Sequence, residues 1–315
     1  MKILIAGGAG FIGSHLGERF LKEGMEVAAI DNYITGTRKN IVPLLNHPRF
    51  TLWEHDITRP IPIEPPLGKF DRVFHFASPT SPREYQRFPI ETMKAGSLGT
   101  LNLLDLALNW KAGFFFASSS EVYGDPLVHP QGEGYWWNVN PVGPRSVYDE
   151  GKRFSEALVT AYHRSRGLDI RIARIFNTYG PRMKRNDGRV IPNFVMQALK
   201  NEPIQVHGDG TQTRSFCYVE DLCEGILKLM DSGVSEPLNL GNPSEIRILD
   251  LAKMILEITK SRSEIVFHPL PSEDPKVRKP DIEKAKTLLG WKPRIELTEG
   301  LSRTIQWFQS EMIKD

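Results

Sequence analysis

Residues 2–31, KILIAGGAGFIGSHLGERFLKEGMEVAAID, place a strand, a turn, a helix and a second strand within one short stretch, and this constrains the fold more than any other part of the chain. Lys2-Ile3-Leu4-Ile5-Ala6 is a short apolar run of the kind that a parallel strand buried on both faces requires. It runs into Gly7-Gly8-Ala9-Gly10-Phe11-Ile12-Gly13. Gly8, Gly10 and Gly13 satisfy the G-x-G-x-x-G spacing, and Gly7, Gly10 and Gly13 satisfy the G-x-x-G-x-x-G variant. Glycine at these steps permits a tight turn and a close approach of backbone to a pyrophosphate, and the following helix offers its free N–H groups to the same anion. The next strand, Val27-Ala28-Ala29-Ile30, ends on Asp31, about 20 residues on, where a carboxylate takes ribose hydroxyls and repels a 2′-phosphate. The order strand, turn, helix, strand, acid predicts a dinucleotide site that prefers NAD to NADP.

Strand and helix keep alternating after this unit. Phe50-Thr51-Leu52-Trp53 reads as a third strand leading to Asp56 and Ile57, and residues 71–77 read as a fourth, ending on His75-Phe76-Ala77. Residues 58–69, rich in proline, read as a surface connection. His75 closes a strand buried on both sides and is expected to be a hydrogen-bonded core histidine. Residues 90–110 are expected to form one helix with Leu98, Leu101, Leu104 and Leu108 as its apolar stripe. Further helices are expected at about residues 193–200, 219–232, 248–259 and 297–312, with short strands at 237–240 and 265–268. The pattern predicts an α/β fold, a doubly wound parallel (Rossmann) sheet with a smaller C-terminal α/β substrate domain. Residues 1–175 are assigned to the dinucleotide-binding domain and 176–315 mainly to the substrate domain, with residues of about 213–240 returning to the first. Cofactor contacts are expected from Gly7, Gly10, Phe11, Ile12 and Gly13, from Asp31 and Asn32, and from Asp56, Ile57 and Ala77.

A second informative stretch is Phe114 to Gly124, FFFASSSEVYG, a strand running into hydroxyls. Beyond a loop come Tyr148-Asp149-Glu150-Gly151-Lys152, and four residues along a helix is just over one turn, so Tyr148 and Lys152 share a face. A phenol is a poor base near neutrality, but an ammonium beside it, with a positive nicotinamide ring, favours the phenolate. Ser119 then offers a second hydrogen bond to the same substrate hydroxyl. The site reading therefore adds Tyr148 and Lys152 to the cofactor contacts and gives them, with Ser119, a catalytic role.

Charge and cysteine content exclude other classes. The net charge is +2 with acids and bases interspersed, which is no footprint for nucleic acid. The two cysteines, Cys217 and Cys223, suggest a reducing compartment, no disulfide framework and no metal site. No run approaches the roughly 18 apolar residues of a membrane span, and the apolar run of MKILIA is too short for a leader. A cytoplasmic protein is expected, without membrane or nucleic-acid partners. Among Arg182, Lys184, Arg185 and Arg189 a solvated loop is the default reading, and only Arg189 and Arg214 are assigned to phosphate.

The order GGAGFIG, SSSEVYG, YDEGK resembles the extended short-chain dehydrogenase/reductase superfamily, which works on nucleotide sugars. The blocks HFASPTSPREY, SSSEVYGDPLVHPQGEGYW, NVNPVGPRSVYDEGKR, RIFNTYGPRM, NDGRVIPNF, GDGTQTRSFCYVEDL and DPKVRKPDI resemble its UDP-glucuronate decarboxylase branch, over about residues 1–310. The resemblance implies NAD as cofactor, UDP-glucuronate as substrate, and UDP-xylose as product. It places Ser119, Tyr148 and Lys152 on the superfamily's Ser/Thr, Tyr and Lys, with Ser119 standing where most of the branch has Thr. It places Glu121 and Arg278 on the branch's catalytic glutamate and arginine, Tyr85 in the pocket for the sugar carboxylate, and Asn177, Arg189, Gln212, Arg214 and Arg278 among substrate contacts. Trp137 stands where a small residue is usual and His207 where Tyr is usual, and both bear on the pocket lining.

The chemistry so implied begins with oxidation at C4, which makes the sugar a β-keto acid that loses CO2 readily; C5 is then protonated and C4 reduced again. Glu121 and Arg278 are expected to handle the carboxylate and the C5 proton, or else to be a structural ion pair. An oxidative decarboxylase that releases the 4-keto pentose and NADH, a UDP-sugar 4-epimerase, a 4,6-dehydratase and a non-catalytic NAD-binding regulator are the alternatives. A homodimer is expected, with Leu103, Ala107, Phe154, Leu158 and Tyr162 forming either a four-helix seam or a core-facing stripe.

Overall fold

The structure, a computed structural model, describes residues 1–62, 68–270 and 277–314. Residues 63–67 of the proline-rich connection and residues 274–276 of the DPKVRKPDI block lie outside the described residues. Six strands follow one another as β1 (Lys2–Ala6), β2 (Glu26–Asp31), β3 (Phe50–Glu54), β4 (Arg72–His75), β5 (Gly113–Ser119) and β6 (Ile170–Ile175), and Pro237–Leu240 adds a seventh. All pair in parallel, in the order β3, β2, β1, β4, β5, β6 and then Pro237–Leu240. The chain reverses direction across the sheet between β1 and β4, so a crevice opens at their carboxyl ends, where ligands of doubly wound sheets bind.

The apolar runs become strands because both faces are covered. Ile3, Leu4, Ile5 and Ala6 of β1 are fully buried, and their alternate side chains enter two different cores. Ile3 and Ile5 join Phe74 and Phe115 on one face, while Leu4 and Ala6 join Phe114 and Phe116 on the other. Helix Phe11–Lys22 covers the first of these faces and Thr100–Trp110 the second.

The glycine turn is fixed by backbone crowding. Gly7 adopts φ +82°, and a Cβ there would stand 2.7 Å from the amide N of Ala77. A Cβ on Gly13 would stand 2.3 Å from the Gly7 carbonyl O. Any side chain at either position pushes β1 away from β4 or the turn away from its helix.

The expected single helix over residues 90–110 is broken. Pro89–Lys94 and Thr100–Trp110 are α-helical, and the five residues Ala95–Gly99 between them form a π turn. One π turn inserts a residue and rotates the next helical segment, so the anticipated stripe is out of phase. Leu98 is 47% exposed; of the anticipated stripe Leu104 is buried and Leu108 packs against the core, and the buried face also carries Leu103, Leu106, Ala107 and Trp110.

The C-terminal half contributes three two-stranded sheets: Thr178–Tyr179 with Cys217–Tyr218, Thr213–Ser215 with Glu245–Arg247, and Ile204–His207 with Ile265–His268. Helix Val219–Met230 packs against helix Phe11–Lys22, and Pro237–Leu240 extends the main sheet.

Helix Ser146–Arg166 is tied to the sheet from inside. Glu156 receives Arg174 of β6 through two hydrogen bonds, at 3.0 and 2.8 Å, and the Ser118 hydroxyl of β5 at 2.5 Å. Arg174 also donates to Tyr123 Oη at 3.0 Å, which in turn donates to Asn239 at 2.8 Å. Replacing Glu156 with Ala leaves a buried guanidinium without its carboxylate and is expected to cost about 3–5 kcal/mol in urea unfolding. A loss under about 1 kcal/mol would show that the pair does not hold the helix.

Candidate active site

Two cavities, of about 700 and about 430 Å³, adjoin along the carboxyl ends of the strands and share Gly7, Gly10, Thr35, Phe76 and Ser78 as lining. Asp31, Asn32, Asp56, Ile57 and Ala77 line the smaller one. Asp31 is 7% exposed; its carboxylate accepts the amide N–H of Ala9 at 2.9 Å and of Tyr33 at 2.8 Å, and burial holds its pKa up against those two bonds. One side chain therefore fixes the glycine turn from the end of β2. Asp56 caps its own turn by accepting from the Thr58 N–H at 2.9 Å.

Phe11, Ile12 and Gly13 line the larger cavity, at the start of a helix whose N-terminus no side chain caps. The uncapped N–H groups, the tight turn that leaves no room for a Cβ at Gly7 or Gly13, and the acid at the end of β2 fit a dinucleotide pyrophosphate and ribose. Replacing Gly13 with Ala is expected to weaken NAD binding by about tenfold or more, at least ~1.4 kcal/mol by calorimetry, whereas Gly134→Ala, with nothing within 4 Å of the new Cβ, leaves it unchanged.

The larger cavity also receives Ser119, Glu121, Tyr148 and Lys152. Ser119 ends β5; its hydroxyl accepts the Glu121 N–H at 3.2 Å and lies beside the Tyr148 phenol, where it favours the phenolate. Tyr148 is 5% exposed, and burial raises its pKa while the Ser119 bond lowers it. Lys152 lies one turn on, its Nζ donating to the Ala117 carbonyl at 2.7 Å and standing 5.7 Å from the Tyr148 ring centroid. Burial pulls the Lys152 ammonium down to about 7, with Glu156 opposing. The expected shared face is therefore present, and its lysine is fixed by β5.

Tyr85 lies behind this face. Its ring stacks on Tyr148 with centroids 5.3 Å apart and planes 7° apart, and its buried hydroxyl has no partner among the described residues. It lines neither cavity.

Glu121 is held by two arginines. Arg278, 4% exposed, forks onto both its oxygens, one of them at 3.0 Å, and Arg145 Nη2 donates to Oε2 at 2.8 Å. Burial alone would raise the Glu121 pKa, but the two guanidiniums outweigh it and hold the carboxylate ionised. Arg278 reaches this place from beyond the sheet, where the Lys279 N–H donates to Gln131 at 2.8 Å and the Lys279 carbonyl accepts the Gln131 N–H at 2.9 Å.

Asn177, Arg189, Gln212 and Arg214 line the far end of the cavity. Arg189 is forked onto Asp187, one contact measuring 2.8 Å, and Gln212 donates to the His207 carbonyl at 2.6 Å. Of the two unusual residues only His207 lines the cavity. Trp137 is away from it, with Arg153 and Arg174 over its ring at 4.5 and 5.4 Å, so the expectation that it shapes the pocket is corrected. Its φ of +85° turns the ring towards these cations.

Two charged residues at the site, Arg145 and Asp149, were not singled out from sequence, and the solvated-loop reading of Arg182 and Lys184 is corrected. Arg145 stands three residues before Tyr148 and Asp149 immediately follows it, but nothing in that spacing says that they meet Glu121 and Arg278. Lys184 lines the larger cavity, and its charge bears on Asp31. Its segment is clamped to helix Phe11–Lys22: the Pro181 carbonyl lies 2.9 Å from His15 Nε2, and Arg182 donates to Ser14 O at 3.0 Å and to Glu18.

The sequence profile of the GDP-mannose 4,6 dehydratase family matches residues 4–304. The chain is 50% identical over 311 residues to UDP-glucuronic acid decarboxylase 1 of Danio rerio, covering 99% of this chain and 73% of that one. It is 51% identical over 302 residues to UDP-glucuronic acid decarboxylase 3 of Arabidopsis thaliana, covering 96% and 87%. The chain belongs to this family, in its UDP-glucuronic acid decarboxylase branch. Among solved structures, UDP-glucuronic acid 4-epimerase from Bacillus cereus in complex with UDP-glucuronic acid and NAD superposes with a TM-score of 0.89 at 30% identity, covering 99% of this chain and 100% of that one. A dTDP-glucose 4,6-dehydratase from Streptomyces venezuelae with NAD bound superposes with a TM-score of 0.89 at 28% identity, covering 100% and 98%. No helix among the described residues is long and apolar enough to cross a membrane, and no cluster of metal-ligating side chains occurs among them.

Proposed function

We propose that the protein is an NAD-dependent decarboxylase of UDP-glucuronate that returns the sugar to the hydroxyl state as UDP-xylose. The observation that carries this reading is the Arg278–Glu121–Arg145 cluster set in the same cavity as Ser119, Tyr148 and Lys152. A dehydrogenase needs the second set alone. Arginine forks beside it suit a substrate that carries a carboxylate. The names of the relatives at half identity and the bound ligands of the solved 4-epimerase support the same substrate and cofactor.

NAD⁺, when bound, accepts the C4 hydrogen with its electron pair and later gives it back. Gly7, Gly10, Phe11, Ile12 and Gly13 would hold its pyrophosphate, Asp31 and Asn32 its ribose, and Asp56, Ile57 and Ala77 the adenine side. Tyr148 takes the proton from the C4 hydroxyl, with Ser119 donating to the same oxygen and Lys152 supplying positive charge behind the ring. The resulting ketone is β to the C6 carboxylate. When the C5–C6 bond breaks, its electrons pass into the C4–C5 enolate, CO2 leaves, and Ser119 and Tyr148 stabilise the enolate oxygen. Arg278 orients the carboxylate before the bond breaks, and C5 then takes a proton from solvent beside the Glu121 carboxylate, while the proton held by Tyr148 returns to the C4 oxygen on re-reduction. Asn177, Arg189, Gln212 and Arg214 hold the UDP, with Arg189 moving from Asp187 to phosphate and Tyr85 backing the sugar end.

Purified protein incubated with UDP-glucuronate should release CO2 and form UDP-xylose with no net NADH. A 4-keto pentose with one NADH per turnover would mark an oxidative decarboxylase, and UDP-galacturonate without CO2 would overturn the reading of Glu121 and Arg278. Removing the phenolic proton carrier by Tyr148→Phe should lower kcat by about 10² to 10⁴, measured as CO2 release.

We also propose that the protein acts in the cytoplasm as a homodimer. Its two buried free thiols suit a reducing compartment. Leu103 and Ala107 lie in the core and Leu158 and Tyr162 pack against it, as the core-facing alternative expects, so we place the seam on the exposed apolar side chains of these helices, Ile90, Met93, Leu98 and Phe154. Phe154→Glu should shift the sedimenting species from dimer to monomer, and an unchanged dimer would place the seam elsewhere.

A further inference from the structure

Beside the Glu121 pairings stands a second carboxyl that the proposed reaction does not use. Asp149 is 5% exposed, its amide N donates to the Arg145 carbonyl at 3.1 Å, and its Oδ1 is buried without a partner among the described residues. It takes part in no ion pair among them. The charges that act on it are Glu121 and Glu150, both negative, and Arg145 and Arg278, both positive and both committed to Glu121. Arg153, one turn further, is turned towards Glu150 and the Trp137 ring. Lys152 points to the Ala117 carbonyl, and burial raises the pKa of the Tyr85 and Tyr148 phenols, so neither adds a cation to Asp149. A buried carboxylate with no cation of its own, next to an ionised glutamate, gives up its charge by taking a proton. Burial, and then the Glu121 charge, push Asp149 up to about 8.

The protonation of Asp149 sets the charge of the cluster. With Asp149 neutral, Arg145, Arg278 and Glu121 sum to one positive charge; with Asp149 ionised they sum to zero. We propose that Asp149 is a positioning residue, held protonated so that the Glu121–Arg145–Arg278 cluster keeps one positive charge in surplus for the carboxylate of the incoming sugar. The inference rests on the reading of this site as one that decarboxylates UDP-glucuronate. It makes Asp149 a determinant of specificity, because a nucleotide sugar without a carboxylate gains nothing from the surplus charge. Asp149 lines neither cavity and acts through the arginines.

The test is the pH profile of KM for UDP-glucuronate at saturating NAD, with UDP-glucose as competitive inhibitor, in wild type and Asp149→Asn. Wild-type KM is expected to stay level up to about pH 8 and then to rise about tenfold per pH unit, as each ionised Asp149 cancels the charge that holds the substrate. In Asp149→Asn, a neutral side chain of the same shape, KM stays level through that range, and the inhibition constant of UDP-glucose stays level in both proteins. Asp149→Ser, also neutral, should give the same level profile and serves if the Asn variant does not fold by circular dichroism. An alkaline rise that persists in a folded neutral variant, or that UDP-glucose shares, overturns the inference while CO2 release by the wild type leaves the functional reading intact. A wild type that releases no CO2 overturns the reading on which the inference rests.

Discussion

The site depends on how firmly one helix is fixed to one edge of the sheet. Ser146–Arg166 carries Tyr148 and Lys152, and it is bound to β5 and β6 by polar contacts in a buried setting. The Glu156–Arg174 pair holds its middle, the Lys152 bond to Ala117 O holds its first turns, and Ser155 donates to the Gly96 carbonyl at 2.5 Å to join it to the π turn. Apolar packing alone would allow the helix to slide along its axis, whereas directional bonds from successive turns fix both its rotation and its register. The distance between the Tyr148 phenol and the hydroxyl at the end of β5 is set by that register.

The same helix meets a group that comes from more than a hundred residues further along the chain. Arg278 is buried against Glu121, and its segment is held by the Gln131 side chain and backbone at Lys279 and by the Ser215 hydroxyl at the Arg278 carbonyl. The charged half of the site is therefore assembled from the end of β5, the start of the long helix and the C-terminal segment. Its hydroxyl–phenol–lysine half comes from neighbouring parts of one βα unit. The first half is sensitive to the C-terminal region, and the second is intrinsic to the sheet.

Local pattern makes the second half legible. The strands β1 to β6 are apolar runs ended by turn residues, and their boundaries reflect burial on both faces, so the glycine turn, Asp31, Ser119, Tyr148 and Lys152 can be read directly. The π turn at Ala95–Gly99 cannot be read from residue spacing, because a helix with one extra residue has the same composition as a regular one. Spacing therefore puts Leu98 on the wrong face. Trp137 is expected in the pocket from its position, and position alone says nothing about a positive φ that points the ring elsewhere. Arg145 and Asp149 owe their importance to three-dimensional proximity to Glu121 and Arg278, which no local period records.

The clamp between residues 181–182 and the first helix joins parts of the molecule that chemistry separates. The helix whose N-terminus faces the pyrophosphate is gripped on its flank by His15 and Arg182 contacts to the segment leading to Arg189 and the far cavity wall. Residues 181–182 and the first helix are therefore one mechanical piece, so the walls of the two cavities share a support.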